Sequence, residues 1–475
     1  MRVPAIRERP RFSGAPRPSS PRIAAAIALV ISTCWVTIPL AGASTSTAPS
    51  TEWWGYHGGA DGAGIAADIT GFNTSTPRWR SPLLDGSVYG EPLVAEHEVI
   101  VATENDSVYA LSTNSGAVLW RRHLGAPVPA NTLPCGDISP DVGITGTPVI
   151  DLLRHEVFVL DFEARAVPVH FLVGLDLATG DLMTRVALPT PSADQRTYLS
   201  RSALTLSHGD VVYSFGGNYG DCGNYHGVVG TVAESAPHRI RTFVVDARPG
   251  QREGAVWMGG AAPAVDAAGD VWVTTGNGSV TSPRQPYDHS DAVLELSPQM
   301  KLRGFFAPST WYQDNAADAD LSSEPALMGH NLVVATGKAG RIYLLDTRRL
   351  GGIGGQIAEI DSRCGDVLDG GVAINADTLF LPCAAGTEAA RVTYSPATIR
   401  VIWHAQAGAG PPIMAGHRVW TIGADGILYG LNPATGAVLQ RVSLGVEDNH
   451  FATPSVGAGL LLAPLARGVV AFAAD

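Results

Sequence analysis

An all-β chain closed into an eight-bladed β-propeller, with four antiparallel strands per blade, is the fold the sequence predicts. Three observations predict it. A phrase of small residue, apolar strand, turn, apolar strand, Asp or Asn, Thr-Gly or Ser-Gly and a final strand recurs along most of the 475 residues. Its period of roughly 35–50 residues, with four short strands per copy, is that of a propeller blade and not of a helical solenoid. The last copy is incomplete, and a strand near the start of the chain fits its missing place.

Taken in order, residues 2–22 carry Arg2, Arg7, Arg9, Arg11, Arg17 and Arg22 against Glu8. An apolar run from Ile23 to Leu40 and the small-x-small site Ala41-Gly-Ala43 follow. This is the pattern of an export signal ending at residue 43, and an uncleaved membrane anchor is the alternative, because the apolar run approaches spanning length. Residues 44–76 read as a tether and an N-terminal plug that includes Trp53-Trp-Gly-Tyr-His57. Residues 77–475 form one propeller domain. Its blades fall at about 88–125, 143–189, 198–249, 259–309, 319–363, 367–407 and 411–445. The eighth has only Thr453-Pro-Ser-Val, Leu460-Leu-Leu-Ala and Val469-Val-Ala-Phe. Its outer strand is expected from Arg78-Trp-Arg-Ser-Pro-Leu-Leu84, since Trp79-Arg80 echoes Trp120-Arg121 at the end of the first blade. Such closure leaves no free sheet edge. Seven blades are the alternative, because blade 3 is irregular.

Composition narrows the function. Hydrophobic residues make up 45% and charged ones 16%, ample for a core, and the net charge is −12. Loss of the basic leader makes the remainder more acidic still, which excludes nucleic acid as a partner. After export the chain keeps Cys135, Cys222, Cys364 and Cys383, for which three pairings exist. Cys364 and Cys383 flank the first strand of one blade and form the first expected pair, leaving Cys135 with Cys222. The sequence has no Cys-x-x-Cys for a zinc ribbon or an attached haem, no nucleophile elbow and no phosphate loop.

The turn before each last strand has a physical purpose: Asp or Asn bonds its own backbone and Gly takes positive φ. Ala110-Leu-Ser-Thr-Asn-Ser-Gly-Ala-Val-Leu-Trp120 resembles the Ala-x-Asp-x-x-Thr-Gly-x-x-x-Trp repeat of pyrroloquinoline quinone (PQQ) propellers. In that family the Trp docks on the neighbouring blade. The resemblance implies stations for a quinoprotein alcohol dehydrogenase. Trp257-Met-Gly-Gly…Asp266 and Thr275-Gly-Asn277 are similar to the family's Trp-Gly…Gly-Asn stretch, which implies Trp257 under the cofactor and Asn277 on a Ca²⁺ ion. Asp318-Ala-Asp320 resembles the segment that supplies the general base, a role implied for Asp318, and Lys338-Ala-Gly-Arg-Ile-Tyr resembles the segment beside the quinone. The metal carboxylate falls nearest Asp221, one residue out of step. The family's adjacent cysteine pair is absent, and a Cys135–Cys222 bridge is the expected substitute for that lid.

Each residue also has a plainer reading. Asn277 sits where a strand-end turn is common, Asp318 and Asp320 can cap a bend, Trp257 can pack between blades, and Lys338 can be a solvated hairpin residue. Two functions follow. The first is a secreted PQQ- and Ca²⁺-dependent oxidation of a small-molecule alcohol or sugar, with no membrane span after signal cleavage. The second is a non-catalytic scaffold for an envelope protein partner, similar to the propeller of the outer-membrane β-barrel assembly machinery. Fold alone does not choose between them.

Overall fold

The computed structural model describes residues 52–66, 69–364, 369–445 and 451–475, and the expected export segment lies outside them. The described residues form one compact unit. Within it, eight antiparallel sheets follow one another in chain order. Blade 1 runs through Leu93–Ala95, Glu98–Thr103, Ser107–Ser112 and Val118–His123; blade 2 spans 149–187. Blades 3 to 7 span 205–244, 264–307, 326–361, 373–405 and 413–443. Blade 8 has Ser455–Gly457, Leu460–Leu465 and Gly468–Ala473 from the chain's end, and Trp79–Arg80 completes it. The eight-bladed expectation holds, and the irregular blade 3 is a full sheet with long outer strands, so the seven-bladed alternative falls.

Burial follows from the stacking of blades. Strand Glu156–Glu163 is covered on both faces by its neighbours and is buried at every position, whereas the outermost strand Val118–His123 is largely exposed. Between the third and fourth strands the register slips once at equivalent places, Ala110/Leu111, Gly174/Leu175 and Gly430/Leu431. This bulge adds local twist on the approach to the outer edge.

Three seams carry the same lock. Trp79 of blade 8 donates Nε1–H to the Thr113 carbonyl of blade 1 at 2.8 Å. Trp120 of blade 1 donates to Leu177 of blade 2 at 2.9 Å, and Trp403 of blade 6 donates to Pro433 of blade 7 at 2.9 Å. Each indole lies on the turn glycine of the next blade. A Cβ at Gly116, Gly180 or Gly436 would stand 2.5, 2.5 or 2.6 Å from the ring, and all three glycines have φ near +70°. The turn therefore needs glycine twice over, for its backbone and for the ring upon it. Around the closing seam, Trp79, Val99, Leu111, Leu461 and Phe472 share one buried cluster.

Residues 52–64 lie across the hub. Trp53 exchanges backbone hydrogen bonds with Val94 of blade 1, and the carbonyls of Trp54, Ala60, Ala63 and Gly64 accept from Ile150, Val265, Ile374 and Met414. These donors belong to innermost strands of blades 2, 4, 6 and 7. The segment thus satisfies edge amides that the channel would otherwise expose. Both expected disulfides are present, Cys135–Cys222 and Cys364–Cys383, with Cα separations of 5.9 and 5.8 Å.

Gly180→Ala adds a left-handed strain of roughly 1–2 kcal/mol to the displacement of the Trp120 ring. The expected loss in urea unfolding is about 2 kcal/mol or more. Unchanged stability would show that the ring does not rest on that turn.

Candidate functional site

A cavity of about 1090 Å³ opens at the hub, and segments before or within most blades line it, among them Tyr89, Arg201, Trp257, Lys338, Asp369 and Phe451. Strand ends converge there because each blade directs the loop after its second strand, and the loop entering its first, toward the axis.

Local sequence sets each side chain. Trp257 precedes a 3₁₀ turn over Met258–Gly260, and its Nε1–H donates to the Gly217 carbonyl at 2.9 Å. A Cβ on Gly216 would stand 2.5 Å from that nitrogen, so the Gly-Gly pair of blade 3 is what lets the indole lie down. Asn277 follows strand Val271–Thr275 with φ 47°, a left-handed position that Asn tolerates. Helix Trp311–Ala317 ends on Asp318, also left-handed at φ 53°. The Thr-Gly-Lys turn after Leu332–Thr336 packs on the Asp320 backbone, with the Lys338 amide donating to the Asp320 carbonyl at 2.8 Å.

The five residues singled out in the sequence meet in one network. Lys338 Nζ donates to Asp318 Oδ1 at 2.7 Å and to Asp320 Oδ2 at 2.8 Å, and stands 5.8 Å from the centre of the Trp257 ring. Asp320 Oδ1 accepts from the Asn277 amide at 2.9 Å, and Asn277 Nδ2 donates to the Tyr225 hydroxyl at 3.3 Å. Tyr225 in turn donates to Asp221 Oδ1 at 2.6 Å. Asp221, Trp257, Asp318 and Lys338 line the cavity itself, and Asn277 lies just behind its wall.

Burial sorts the acids around Lys338. The Asp318 side chain is 69% exposed, whereas that of Asp320 is fully buried. Burial raises the Asp320 carboxyl to about 6, although the Lys338 charge and hydrogen bonds pull it down. Burial likewise raises Asp369 to about 7, against the attraction of Lys338 and with the Asp320 and Asp318 charges adding to the rise. Asp369 Oδ1 is buried without a hydrogen-bond partner. Burial alone would lower Lys338, but Asp320 and Asp318 outweigh it and hold the ammonium well above its ordinary value. Asp369 and Tyr225 escaped the sequence reading, Asp369 because Asp-Gly-Gly before a strand carries no motif. Asp320 was visible only as the second acid of Asp-Ala-Asp, a spacing that does not say which side chain turns inward.

The Cys135–Cys222 bridge stands at the rim. It ties the connection between blades 1 and 2, which brings Asp137 and Ile138 to the cavity, to the blade 3 loop that brings Asn218 and Asp221. Away from the cavity, His226 pairs with buried Asp246 at 2.9 Å, a structural contact.

The family model described as outer membrane protein assembly factor BamB matches residues 63–282. By sequence, no curated protein matches the chain. Among solved structures, quinohemoprotein alcohol dehydrogenase from Comamonas testosteroni is similar, with a TM-score of 0.65 and 15% identity over 90% of this chain and 81% of that one. Quinohemoprotein alcohol dehydrogenase ADHIIG from Pseudomonas putida HK5 gives 0.67 and 13% over 89% and 80%. BamB from Moraxella catarrhalis gives 0.53 and 16% over 83% and 96%. At these identities the likeness establishes the fold.

Lys338→Met leaves buried Asp320 without its counter-charge. The expected cost in urea unfolding at pH 8 is about 3 kcal/mol. It shrinks toward pH 5, because Asp320 then takes up a proton in both proteins and the ion pair no longer distinguishes them. An equal cost at both pH values would rule out that coupling.

Proposed function

From the premise that this chain is a PQQ-like eight-bladed β-propeller, we propose that the hub cavity is the active site of an extracytoplasmic quinoprotein-like oxidoreductase. It takes up PQQ and Ca²⁺ and oxidises an alcohol or sugar. The observation that carries this reading is the meeting of Trp257, Asn277, Asp318, Lys338 and Asp221 at the cavity through one network of hydrogen bonds, with the Lys338 ammonium over the Trp257 ring.

The residues present fit the cofactor. Trp257 offers a flat ring on the cavity wall, and Lys338 and Arg201 bring positive charge to the same space, suited to a planar quinone bearing carboxylates. Asp221 and Asn277, joined through Tyr225, are oxygen-bearing side chains of the kind a hard cation takes. When bound, the quinone supplies the two-electron acceptor that no side chain here provides.

The chain's own work is proton handling and orientation. Alcohol oxidation requires removal of the hydroxyl proton, and a base is most effective when its pKa lies near the working pH. Asp369, raised to about 7 and lining the cavity, meets that condition. Asp320 is committed to Lys338 and Asn277 and holds the ammonium in place, while exposed Asp318 steadies it from the solvent side. The base role implied by resemblance for Asp318 therefore passes, in this proposal, to Asp369.

A second reading, an extracytoplasmic scaffold, has one observation in its favour. Val118 and Leu119, Leu182 and Met183, and Val438 and Leu439 stand exposed at equivalent positions on the outer strands of blades 1, 2 and 7. Such recurrence suits a protein partner.

Adding PQQ with Ca²⁺ to the exported protein is expected to quench tryptophan emission and to support reduction of an artificial acceptor by an alcohol or aldose. Absence of quenching would favour the scaffold. Asp369→Asn is expected to lower turnover by about 10²–10⁴-fold while sparing the quench, and wild-type turnover should rise with pH through about 7 as Asp369 loses its proton. If Asp318→Asn proves the more damaging substitution, the base is Asp318.

A further inference from the structure

At the seam of blades 5 and 6, two cysteines and a histidine come together. Cys383 ends strand Thr378–Cys383, the second of blade 6, and His404 lies on that blade's outermost strand, Ala397–Ala405. Leu381 pairs with Glu388 and Glu388 with His404, so the three share one face of the sheet, and Cys383, two residues beyond Leu381, shares it too. Cys364 reaches this face from the connection that leaves blade 5 after Asp361. The two Sγ atoms and a ring nitrogen of His404 all lie within 4.8 Å of one another. Among the described residues, no other three His, Cys, Asp or Glu side chains converge so closely.

The sulfurs are joined as a disulfide, and the imidazole beside them is left unsatisfied: His404 Nε2 is buried without a hydrogen-bond partner. A buried ring nitrogen in that state marks a site that lacks one of its members. The cysteines are also positioned by more than their bridge. The Arg363 amide donates to Glu388 Oε2 at 2.7 Å, the Cys364 amide to Ser362 Oγ at 2.9 Å, and the Ser362 amide to the Gly340 carbonyl at 2.9 Å. Cys383 is fixed by its strand pairing with Gly386. Opening the S–S bond therefore frees two thiols without removing what holds them in place.

We propose that these three side chains are a redox-gated metal site: once the bridge is reduced, Cys364, Cys383 and His404 hold Zn²⁺ through two thiolates and an imidazole nitrogen. Sulfur and imidazole donors suit zinc and disfavour the hard cations Ca²⁺ and Mg²⁺. A dithiol is the reductant. It breaks the S–S bond and adds two electrons and two protons, becoming a disulfide itself, and zinc then displaces the two thiol protons to solvent. Three protein ligands leave a fourth position for water. Glu388, opposite His404 in the ladder and with Oε1 unpartnered, supplies the neighbouring carboxylate that such imidazole ligands commonly have. Cys383 also lines the hub cavity, which gives the ion its way in. None of the three ligands belongs to the Lys338 network, so the site stands apart from the oxidoreductase reading.

The test compares zinc content with the bridge closed and open. Exported protein is kept oxidised or is reduced with TCEP under nitrogen, with thiol titration to confirm the opening. Each form is equilibrated with ZnCl₂, passed through gel filtration and assayed by elemental analysis. Reduced wild type is expected to retain one equivalent more than oxidised wild type, and His404→Ala is expected to lose that gain. With Co²⁺ in place of zinc, reduced wild type should show a thiolate-to-cobalt charge-transfer band that the oxidised protein lacks. Equal zinc in the two forms of wild type, a bridge that resists TCEP in the folded protein, or the same gain in His404→Ala overturns the proposal. Should His404→Ala fail to fold, alkylation of reduced wild type, read peptide by peptide in a mass spectrometer, decides. Slower labelling of Cys364 and Cys383 with zinc than without it supports the site, and unchanged labelling, or slowing confined to Cys135 and Cys222, overturns it.

Discussion

Ring closure is the constraint on which the molecule depends. Two residues from the start of the domain, Trp79 and Arg80, pair with Ala471 and Val470 from its end, and Trp79 then docks on the turn of blade 1 as Trp120 and Trp403 dock elsewhere. The pairing covers the free edge of the last sheet, and the dock covers its face. A cavity bordered by loops of successive blades exists only because the first and last blades are neighbours. Residues 52–64 reinforce the arrangement by giving inner-strand amides of several blades one shared partner.

Inside that ring, charge is arranged with little slack. The chain has only two lysines, Lys301 and Lys338, and one of them sits at the hub between Asp318 and Asp320. A single ammonium among several acids cannot neutralise all of them, so the acids divide by burial. Asp320 is matched, Asp318 is solvated, and Asp369 is left with a raised affinity for a proton. The seam of blades 1 and 2 repeats the pattern with guanidinium groups, where Arg165 and Arg185 satisfy Glu163 and reach Asp161 but leave Asp106. Low charge density and high burial make each unmatched carboxylate in this protein informative.

The parts of the site that were legible in the sequence were those tied to the repeat. Asn277 and Lys338 follow the second strands of blades 4 and 5 and Trp257 lies in the connection entering blade 4, places that follow from counting blades, and once the ring is closed those positions face one another. Asp369 and Tyr225 were not legible, because Asp-Gly-Gly and Asn-Tyr-His are ordinary loop text whose meaning depends on what lies opposite. The choice among Asp318, Asp320 and Asp369 is of the same kind. Two acids at i and i+2 look alike until a helix end turns one to solvent and a lysine turn packs over the other.

By itself, the sequence determined the kind of architecture: its period, its turn glycines and the displaced outer strand point to a closed wheel of antiparallel sheets, eight expected with seven as the alternative, and its four cysteines after residue 43 narrow the bridges to three patterns. These are local or nearest-neighbour properties, written where they act. Tertiary structure alone decided which acids lose water, which oxygens lack donors and which cation each one meets. Those quantities are set by groups brought together from distant blades, and desolvation depends on that company and not on the residue's own place in the chain.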